Sequence, residues 1–329
     1  MNKQWEKWSK EDIRSFQDKF LNWYHDEKRN LPWRATNDPY AIWISEIMLQ
    51  QTRVDTVIGY YYRFMEQFPT IKDLAGAEEQ KLLKAWEGLG YYSRARNLKA
   101  AAQQIMAEFD GEMPQTITDI RSLKGIGPYT AGAIGSIAFG LPEPAIDGNV
   151  MRVVSRLFCI EADIAKASSR GVFDKAMRTI ISHDEPGEFN QALMDLGSSI
   201  CTPTSPLCEE CPLQEYCLAY QQGTQTDFPV KSKKAKPKDM YYIAGAIEED
   251  GRFLLVQRPE TGLLAKMWHF PLLEVDQATY MQLLAYWQDQ QLTLDAVAEE
   301  PAPIFPEFPV VWQKRHLGEV THIFSPVSY

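Results

Sequence analysis

Four cysteines near the end of the first two thirds of the chain constrain its fold more than any other feature. They are spaced C-x6-C-x2-C-x5-C, at Cys201, Cys208, Cys211 and Cys217. This crowding lets four thiolates converge on one centre in a small loop, and it suits metal better than disulfides. Four thiolates bind either zinc or an iron-sulfur cluster, and the spacing alone leaves both open.

Apolar residues recur mostly at helical spacing from residue 11 to about residue 221, with Gly, Pro and Asp between the segments. Residues 222–240 are polar and carry five lysines, a composition typical of a solvated linker. β signals follow, with Asp250-Gly251 as a hairpin turn. We therefore predict a mainly α domain over residues 1–221, a linker over residues 222–240 and a smaller α+β domain over residues 241–329.

Composition limits the class of protein. The 329 residues are 45% hydrophobic and 24% charged, which is ordinary for a folded protein of two or three domains. Lysine and arginine number 34 against 44 aspartate and glutamate, so the net charge of −10 argues against a nucleic-acid partner. The longest uncharged run contains five glycines and two prolines, unlike a membrane span. We predict a cytoplasmic monomer with no membrane partner.

A Gly-x-Gly turn precedes a helix at residues 123–134, which read LKGIGPYTAGAI. Gly125 and Gly127 allow a tight turn with outward-pointing amides, and Pro128 fits the first turn of a helix, where its missing N–H costs nothing. Amides at a helix N-terminus can hold a phosphate without a lysine. A plain helical turn explains the same residues, so the pattern alone leaves a phosphate site open.

Two carboxylates lie in contrasting surroundings. Glu46 falls on a mainly apolar face of a helix that begins at Asp38-Pro39, so its pKa should be raised and its proton retained near neutral pH. Asp147 precedes a helix whose first amides and dipole should keep it ionised. One proton donor and one fixed anion can break a glycosidic bond through an oxocarbenium-like transition state. A helix-edge carboxyl and a simple N-cap are the alternatives.

Several segments together resemble one family. The cysteine spacing is similar to the 4Fe-4S loop of the endonuclease III superfamily of DNA glycosylases, and LKGIGPYTA is similar to the helix-hairpin-helix of that superfamily. WISEIMLQQT and IDGNVMRV resemble signature segments of the MutY-type adenine DNA glycosylases, and the similarity extends from about residue 11 to residue 325. The resemblance implies a structural 4Fe-4S cluster on the four cysteines and double-stranded DNA as the partner.

The resemblance also implies roles for single residues. Glu46 would protonate adenine at N7 and Asp147 would stabilise the sugar cation, assisted by Tyr129 and Asn149. The residues that would contact the flipped base are Trp33, Arg34 and Gln191. The residues that would contact the duplex are Leu49, Gln51, Leu89, Tyr91, Arg94, Arg96, Gly125 and Gly127. Core packing is the alternative for Leu49 and Leu89. The hairpin carbonyls would bind a cation.

Tyr129 stands two residues after the second hairpin glycine, where bifunctional relatives carry a lysine that attacks the sugar. A phenol cannot form an imine with the sugar. We therefore predict a monofunctional glycosylase, which hydrolyses the base-sugar bond, leaves the backbone intact and has no strong lyase activity.

Residues 252–271 resemble the Nudix-related C-terminal domain of the same family, but the Nudix box that would hold magnesium is absent. The family reads 8-oxoguanine with a Phe-Ser-His loop in this domain, and the corresponding segment here is Phe324-Ser325-Pro326. Proline replaces the histidine, and the last strand or helix of the domain is expected to be missing. We predict that Ser325 contacts the lesion and that discrimination of 8-oxoguanine from guanine is weakened.

The sequence thus predicts a helix-hairpin-helix glycosylase domain with an iron-sulfur loop at residues 201–217, followed by a Nudix-like α+β domain. Its function would be to remove adenine opposite 8-oxoguanine or guanine in base excision repair, in association with the nucleoid. An endonuclease III-like pyrimidine glycosylase/lyase is one alternative, but it would require lysine at Tyr129. A non-enzymatic iron-sulfur DNA-binding module is the other, and the Glu46 and Asp147 pair argues against it.

Overall fold

The computed structural model of the chain describes residues 3–232, 239–262, 264–290, 318 and 320. The chain divides into two compact units, Met1–Lys233 and Lys234–Tyr329. Within the described residues, no helix is both long and apolar enough to cross a membrane.

The first unit is helical, and short polar side chains begin several of its helices. Ser9 and Asp12 form a capping box, in which each side chain accepts a hydrogen bond from the backbone N–H of the other. The Asp38 carboxylate accepts from the Tyr40 N–H at 3.0 Å, and Pro39 follows at the first helical position, as predicted. The α-helices of this unit are α1 (Lys10–Glu27), α2 (Pro39–Leu49), α3 (Val54–Gln67), α4 (Ile71–Gly76), α5 (Glu79–Ala85), α6 (Ser93–Glu108), α7 (Ile117–Ser122), α8 (Pro128–Phe139), α9 (Gly148–Phe158), α10 (Arg170–Ile180), α11 (Pro186–Ser199) and α12 (Leu218–Gln221).

Two hydrophobic clusters form the interior of this unit. The first extends from Leu31 to Ile134 and lies mainly on α2 to α8. The second joins apolar residues of α1 to those of α9, α10 and α11. Helix α8 packs against α2 of the first cluster and against α11 of the second. The two clusters therefore meet along α8 and α11. These two helices and α2 carry residues of the predicted site.

Helices α7 and α8 and the turn at residues 123–127 form the predicted hairpin. Gly125 has a φ of +77°, and a Cβ there would lie 2.6 Å from the Cβ of Asn97. Gly127 has a φ of −88°, which any residue adopts, and a Cβ there would meet open space. The backbone therefore requires glycine at position 125, whereas position 127 needs it only if something must approach closely from outside.

The helical unit continues beyond residue 221 into the segment predicted as a linker. The Arg156 Nε–H donates to the Phe228 carbonyl at 3.0 Å, and the Ile164 N–H donates to the Val230 carbonyl at 3.0 Å. The Ser232 N–H donates to Asp163 Oδ1 at 3.1 Å. These long-range bonds attach residues 228–232 to α9 and to the loop after it, and a polar composition alone does not reveal them.

The second unit contains short antiparallel strand pairs and one helix. Its elements are β1 (Tyr241–Ala244), β2 (Glu248–Glu249), β3 (Arg252–Phe253), β4 (Val256–Gln257), β5 (Trp268–His269), β6 (Leu272–Val275) and α13 (Gln277–Gln290). Strand β1 pairs with β6, β2 with β3, and β4 with β5. Asp250 and Gly251, both with positive φ, form the predicted hairpin turn between β2 and β3. The predicted 8-oxoguanine contact, Ser325, lies outside the described residues.

Candidate active site

Glu46 lies in the middle of α2 and is only 5% exposed. Its Oε2 accepts a hydrogen bond from the Tyr129 hydroxyl at 2.7 Å. Burial raises the pKa of Glu46 to about 7, and the negative charge of Asp147 adds to the rise, while the Tyr129 hydrogen bond and Arg34 oppose it. The apolar helix face predicted from sequence therefore gives a carboxyl that keeps its proton up to neutral pH.

Tyr129 occupies the second position of α8, directly after the hairpin. Its hydroxyl lies 3.8 Å from Met194 Sδ on α11 in addition to its contact with Glu46. Burial and the carboxylate of Glu46 raise the pKa of the phenol well above its usual range, so the hydroxyl remains a donor. Three helices thus meet at this one hydroxyl.

Asp147 is the N-cap of α9, as predicted. Its Oδ1 accepts from the Val150 N–H at 2.7 Å, and its Oδ2 accepts from the Asn149 side-chain amide at 3.1 Å. The amides lower the pKa of Asp147, but burial outweighs them and the net pKa is raised. The sequence predicted the N-cap at Asp147 correctly, but it did not reveal how strongly burial raises the pKa of this carboxyl.

Arg152 is a residue that the sequence analysis missed. Its guanidinium donates to Asn149 Oδ1 at 2.9 Å, to the Gly197 carbonyl at 2.6 Å and to the Cys201 carbonyl at 2.8 Å. Gly197 lets Asn149 lie close to α11, because a Cβ at Gly197 would lie 2.7 Å from the Cβ of Asn149. A continuous set of hydrogen bonds therefore runs from the cysteine loop to Asp147. An arginine inside the apolar repeat of α9 was the available signal.

Arg34 is held in place by a second residue that the sequence analysis missed, Asp195 on α11. The two form a bidentate pair, with Nη1 to Oδ2 at 2.6 Å and Nη2 to Oδ1 at 3.0 Å. Arg29 also donates to Asp195 Oδ1, from Nε at 2.9 Å. Asp195 is 5% exposed. Like Glu46, it is a carboxylate among apolar helix residues, and this was the available signal.

A cavity of about 460 Å³ opens beside this pair. Tyr24, Arg34 and Gln191 line it, together with residues 184–188 at the start of α11. The Tyr24 hydroxyl donates to the Gln191 side-chain carbonyl at 3.2 Å, and the Arg34 guanidinium lies 5.6 Å from the centre of the Tyr24 ring. Trp33 is buried, and its ring packs edge-on against Tyr61. The structure thus brings Arg34 and Gln191 to one cavity and places Trp33 in the adjacent core.

The four residues predicted to enter the duplex divide into two groups. Gln51 and Tyr91 are exposed, and their φ angles of +57° and +47° are uncommon for residues other than glycine. Leu49 is half-buried and packs against the core. Leu89 is 6% exposed and belongs to the core, as the packing alternative expects, and its contact with the duplex stays a prediction. An apolar side chain suits both core packing and insertion into the duplex, so the sequence alone could not distinguish these two roles for Leu89.

The two arginines predicted to contact phosphates are both engaged within the protein. Arg94 is 9% exposed, and its Nη atoms donate to the backbone carbonyls of Ile47, Gln50 and Leu89. The predicted phosphate contact of Arg94 stays a prediction, and it would require these bonds to backbone carbonyls to break. Arg96 pairs with Glu79, with Nε to Oε1 at 2.9 Å, and its side chain is 22% exposed. Its predicted phosphate contact would have to compete with that ion pair.

The cysteine loop fits an iron-sulfur cluster better than zinc. Tetrahedral zinc with Zn–S bonds of about 2.3 Å holds its sulfurs about 3.8 Å apart. Cys201, Cys208, Cys211 and Cys217 all lie in the described part of the chain, yet no three of their sulfurs fall within 4.8 Å of one another. Arg156 donates to Cys201 Sγ at 3.3 Å from one side. The four thiols thus do not converge on one tetrahedral ion, and four cysteine thiolates are also the ligand set of an iron-sulfur cluster.

Known families match this arrangement. Residues 44–177 match the HhH-GPD superfamily base excision DNA repair proteins, and residues 201–217 match the iron-sulfur binding domain of endonuclease III. The helical unit therefore has the fold of the helix-hairpin-helix DNA glycosylases and an iron-sulfur loop. Among curated relatives, the adenine DNA glycosylase of Mus musculus is 36% identical over 96% of this chain and 69% of its own, and that of Homo sapiens is 35% identical over 96% and 66%. The chain belongs to the adenine DNA glycosylase family.

Solved structures of related enzymes share the fold of the helical unit. A thermostable thymine-DNA glycosylase is 27% identical, with a TM-score of 0.57, and covers 64% of this chain and 97% of its own. A trapped covalent intermediate of endonuclease III with DNA is 25% identical, with a TM-score of 0.56, and covers 66% of this chain and 99% of its own.

Proposed function

We propose that this protein is a monofunctional adenine DNA glycosylase that removes adenine opposite 8-oxoguanine or guanine in base excision repair. The observation that carries the proposal is the hydrogen bond from the Tyr129 hydroxyl to the buried Glu46 carboxyl, at the junction of α2, α8 and α11. It supplies a proton donor where a flipped base would lie, in a chain whose relatives are adenine DNA glycosylases.

Glu46 acts as the general acid in this proposal. Because its pKa is about 7, a large fraction of the carboxyl is protonated at neutral pH. Transfer of that proton to N7 of adenine neutralises the leaving base as the bond between the base and C1′ breaks. The electron pair of that bond leaves with the base, and a water molecule then adds to C1′ and gives up a proton, which returns to the Glu46 carboxylate and restores the acid. The Tyr129 hydroxyl donates to Glu46 Oε2 and fixes the orientation of the carboxyl.

Asp147 stabilises the positive charge that develops on the sugar. Its carboxylate is fixed by the Val150 amide and by Asn149, and it needs no reorganisation when the charge appears. The raised pKa of Asp147 indicates that its anion is costly in the free enzyme. A cationic sugar beside it would remove that cost, so the interaction strengthens in the transition state.

Tyr129 also accounts for the absence of strand cleavage in the proposal. A Schiff base with the sugar requires an amine, and this position offers a phenol. Arg34 and Gln191 form a wall that would contact the flipped adenine with a guanidinium and a side-chain amide. Trp33 would support this wall from the core.

DNA binding is proposed for the hairpin and the loops that follow α2 and α5. Outward amides near Gly125 and Gly127 would hold a phosphate, and hairpin carbonyls would bind a cation. Three side chains would fill the space that the flipped base leaves in the stack, namely those of Leu49, Gln51 and Tyr91. Arg96 would contact a phosphate if DNA displaced the Glu79 carboxylate from its guanidinium. An enzyme of this kind would work at the nucleoid, as a monomer.

The four cysteines would hold a 4Fe-4S cluster. Bound there, the cluster would supply a structural link between residues 201 and 217 and not the chemistry of base removal. We expect loss of the thiolates to unfold this loop before it alters the reaction at Glu46.

The second unit is proposed to be a Nudix-like recognition domain, over residues 241–329 after a linker that ends at residue 240. It would read the base opposite adenine through Ser325, without hydrolysis. Because Pro326 stands where the family has histidine, we expect a reduced preference for adenine opposite 8-oxoguanine over adenine opposite guanine. Single-turnover excision rates on the two duplexes test this, and an undiminished preference would refute it.

The proposed activity is tested by incubating the purified protein with duplexes that contain either an adenine mispair or an oxidised pyrimidine. We expect adenine release and an intact backbone until alkali is added, with no release of the pyrimidine. Borohydride should trap little protein on DNA compared with a bifunctional lyase. Efficient trapping, or excision of the pyrimidine in place of adenine, would favour the endonuclease III-like alternative.

A further inference from the structure

Arg94 joins two loops that are far apart in sequence. It lies in the first turn of α6, and its Nη1 donates to the carbonyls of Ile47 at 2.8 Å and Gln50 at 2.6 Å. Its Nη2 donates to the carbonyls of Leu89 at 2.9 Å and Gly90 at 3.2 Å. One guanidinium therefore binds the end of α2 on one side and the turn after α5 on the other.

The carbonyls that Arg94 binds at the end of α2 lack partners within that helix, whereas the Gly90 carbonyl also accepts from Trp86 Nε1 at 3.1 Å. The carbonyls of residues 47–50 lie at the C-terminal end of α2, and the last four carbonyls of a helix have no backbone N–H donor within it. The helix dipole places negative partial charge there, which favours a cation. Burial lowers the pKa of Arg94, yet a guanidinium with several carbonyl acceptors stays charged. A lysine offers a single point of attachment and could not serve both loops with the same geometry.

Each loop presents one exposed side chain from a strained backbone. Gln51 follows Gln50, the C-cap of α2, with a φ of +57°, and Tyr91 follows Gly90, with a φ of +47°. Such conformations persist when surrounding contacts over-determine them. The Arg94 guanidinium lies 5.7 Å from the centre of the Tyr91 ring and contacts the carbonyl of the residue before each strained position, Gln50 and Gly90.

We propose that Arg94 is a positioning residue that holds Gln51 and Tyr91 at a fixed separation, so that both enter the duplex together when adenine is flipped. The proposal rests on the adenine glycosylase activity proposed above. It replaces the phosphate contact predicted for Arg94 from sequence. It assigns Arg94 to base flipping and not to proton transfer at Glu46.

The test compares wild type with Arg94→Lys and Arg94→Met on two substrates. One is a duplex with adenine opposite 8-oxoguanine, and the other places adenine opposite an abasic site, where little stacking must be broken. We expect the variants to lose about 10- to 100-fold in single-turnover rate on the first substrate, because small displacements of positioning groups have effects of this size. On the second substrate, we expect a loss of less than about threefold.

Two further readouts separate positioning from other roles. If Arg94 contacted a phosphate, Arg94→Met would reduce the slope of log Kd against log salt by about 0.9, whereas the proposal predicts an unchanged slope. The pH profile of excision should also be unchanged, because the group that donates the proton is untouched. Circular dichroism and the absorbance of the iron-sulfur cluster establish folding, and Arg94→Lys decides the question if Arg94→Met does not fold.

Arg178→Lys is the matched control, because this arginine pairs with Glu143 and Asp174 on a surface away from both loops. It should behave as wild type on both substrates. Equal losses by the Arg94 variants on both substrates, wild-type rates for both variants, or a reduced salt slope would overturn the proposal. If wild type released no adenine from either substrate, the proposed function itself would fail. This result can be told apart from a failure of the Arg94 proposal, because in that case wild type still releases adenine.

Discussion

At the scale of single residues, the protonation state of Glu46 determines what the site can do. Its carboxyl is buried beside the Tyr129 hydroxyl, and both burial and the charge of Asp147 favour the protonated form. The same low-dielectric surroundings raise the pKa of Asp147. Two carboxyls in one site therefore compete for charge, and the backbone amides at the start of α9 favour Asp147 as the anion.

This arrangement predicts a pH dependence for excision. Because the raised pKa of Glu46 is about 7, its protonated form predominates below pH 7 and the single-turnover rate should fall as pH rises above it. Tyr129→Phe removes the hydrogen bond that lowers this pKa, so the falling limb should move to higher pH. Rates measured from pH 5 to 9 check both statements. A rate that stayed constant between pH 6 and 9 would exclude Glu46 as the rate-limiting proton donor.

Asp195 sets the position of Arg34, and its replacement should affect both stability and excision. Asp195→Asn removes the charge that two arginines share, and we expect a loss of about 1.5–3 kcal/mol in the free energy of unfolding. Excision of adenine should slow about tenfold, because Arg34 is no longer fixed beside the cavity. Urea unfolding and single-turnover assays measure the two effects. Asp174→Asn, which removes an exposed ion pair, is the control and should change neither.

At the scale of elements, the hairpin separates two reasons for glycine. Gly125 needs a left-handed backbone, and a Cβ there would collide with Asn97, whereas Gly127 faces open space. Gly125→Ala should therefore lower the free energy of unfolding by about 1–3 kcal/mol. Gly127→Ala should leave stability within about 0.5 kcal/mol of wild type but weaken DNA binding, because the added methyl occupies the space where a phosphate would approach. Equal stability losses in the two variants would contradict this division.

Sequence predicted those elements whose signals are local. The N-caps at Asp38 and Asp147, the glycine at position 125 and the Asp250-Gly251 turn each depend on a few neighbouring residues. The contacts of Arg94 could not be predicted, because its carbonyl partners at residues 47–50 lie more than 40 positions away and carbonyls leave no trace in the sequence.

The same reason explains the other differences between sequence and structure. Leu89 is apolar whether it packs in the core or faces a duplex, and only its observed burial distinguishes the two. Arg152 and Asp195 act through partners on other elements, so their functions depend on how α9 and α11 are packed. The raised pKa of Asp147 likewise depends on burial by distant residues, which outweighs the local amides.

At the scale of the whole molecule, the net charge of −10 restricts how DNA can be held. Arg94 is buried and Arg96 is paired with Glu79, so both arginines that the sequence offered for phosphates are already engaged. Binding by hairpin amides requires few lysines or arginines. An acidic DNA enzyme of this kind should bind through a small number of charged contacts.

A shallow salt dependence follows. We expect the slope of log Kd against log salt to lie between about −2 and −4, because each neutralised phosphate contributes about 0.9. Fluorescence anisotropy with a mispaired duplex, measured from 50 to 200 mM salt, gives the slope directly. A slope as steep as about −8 would show a basic surface that this account does not include.

The central claim is that Glu46 donates a proton to a flipped adenine. It is tested most directly by single-turnover release of adenine from a duplex with adenine opposite 8-oxoguanine, using wild type and Glu46→Gln. Glutamine preserves the shape and can accept the Tyr129 hydrogen bond but has no acidic proton. We expect release by wild type and a loss of at least about 100-fold in the variant, with DNA binding retained. Release by Glu46→Gln at the wild-type rate would contradict it.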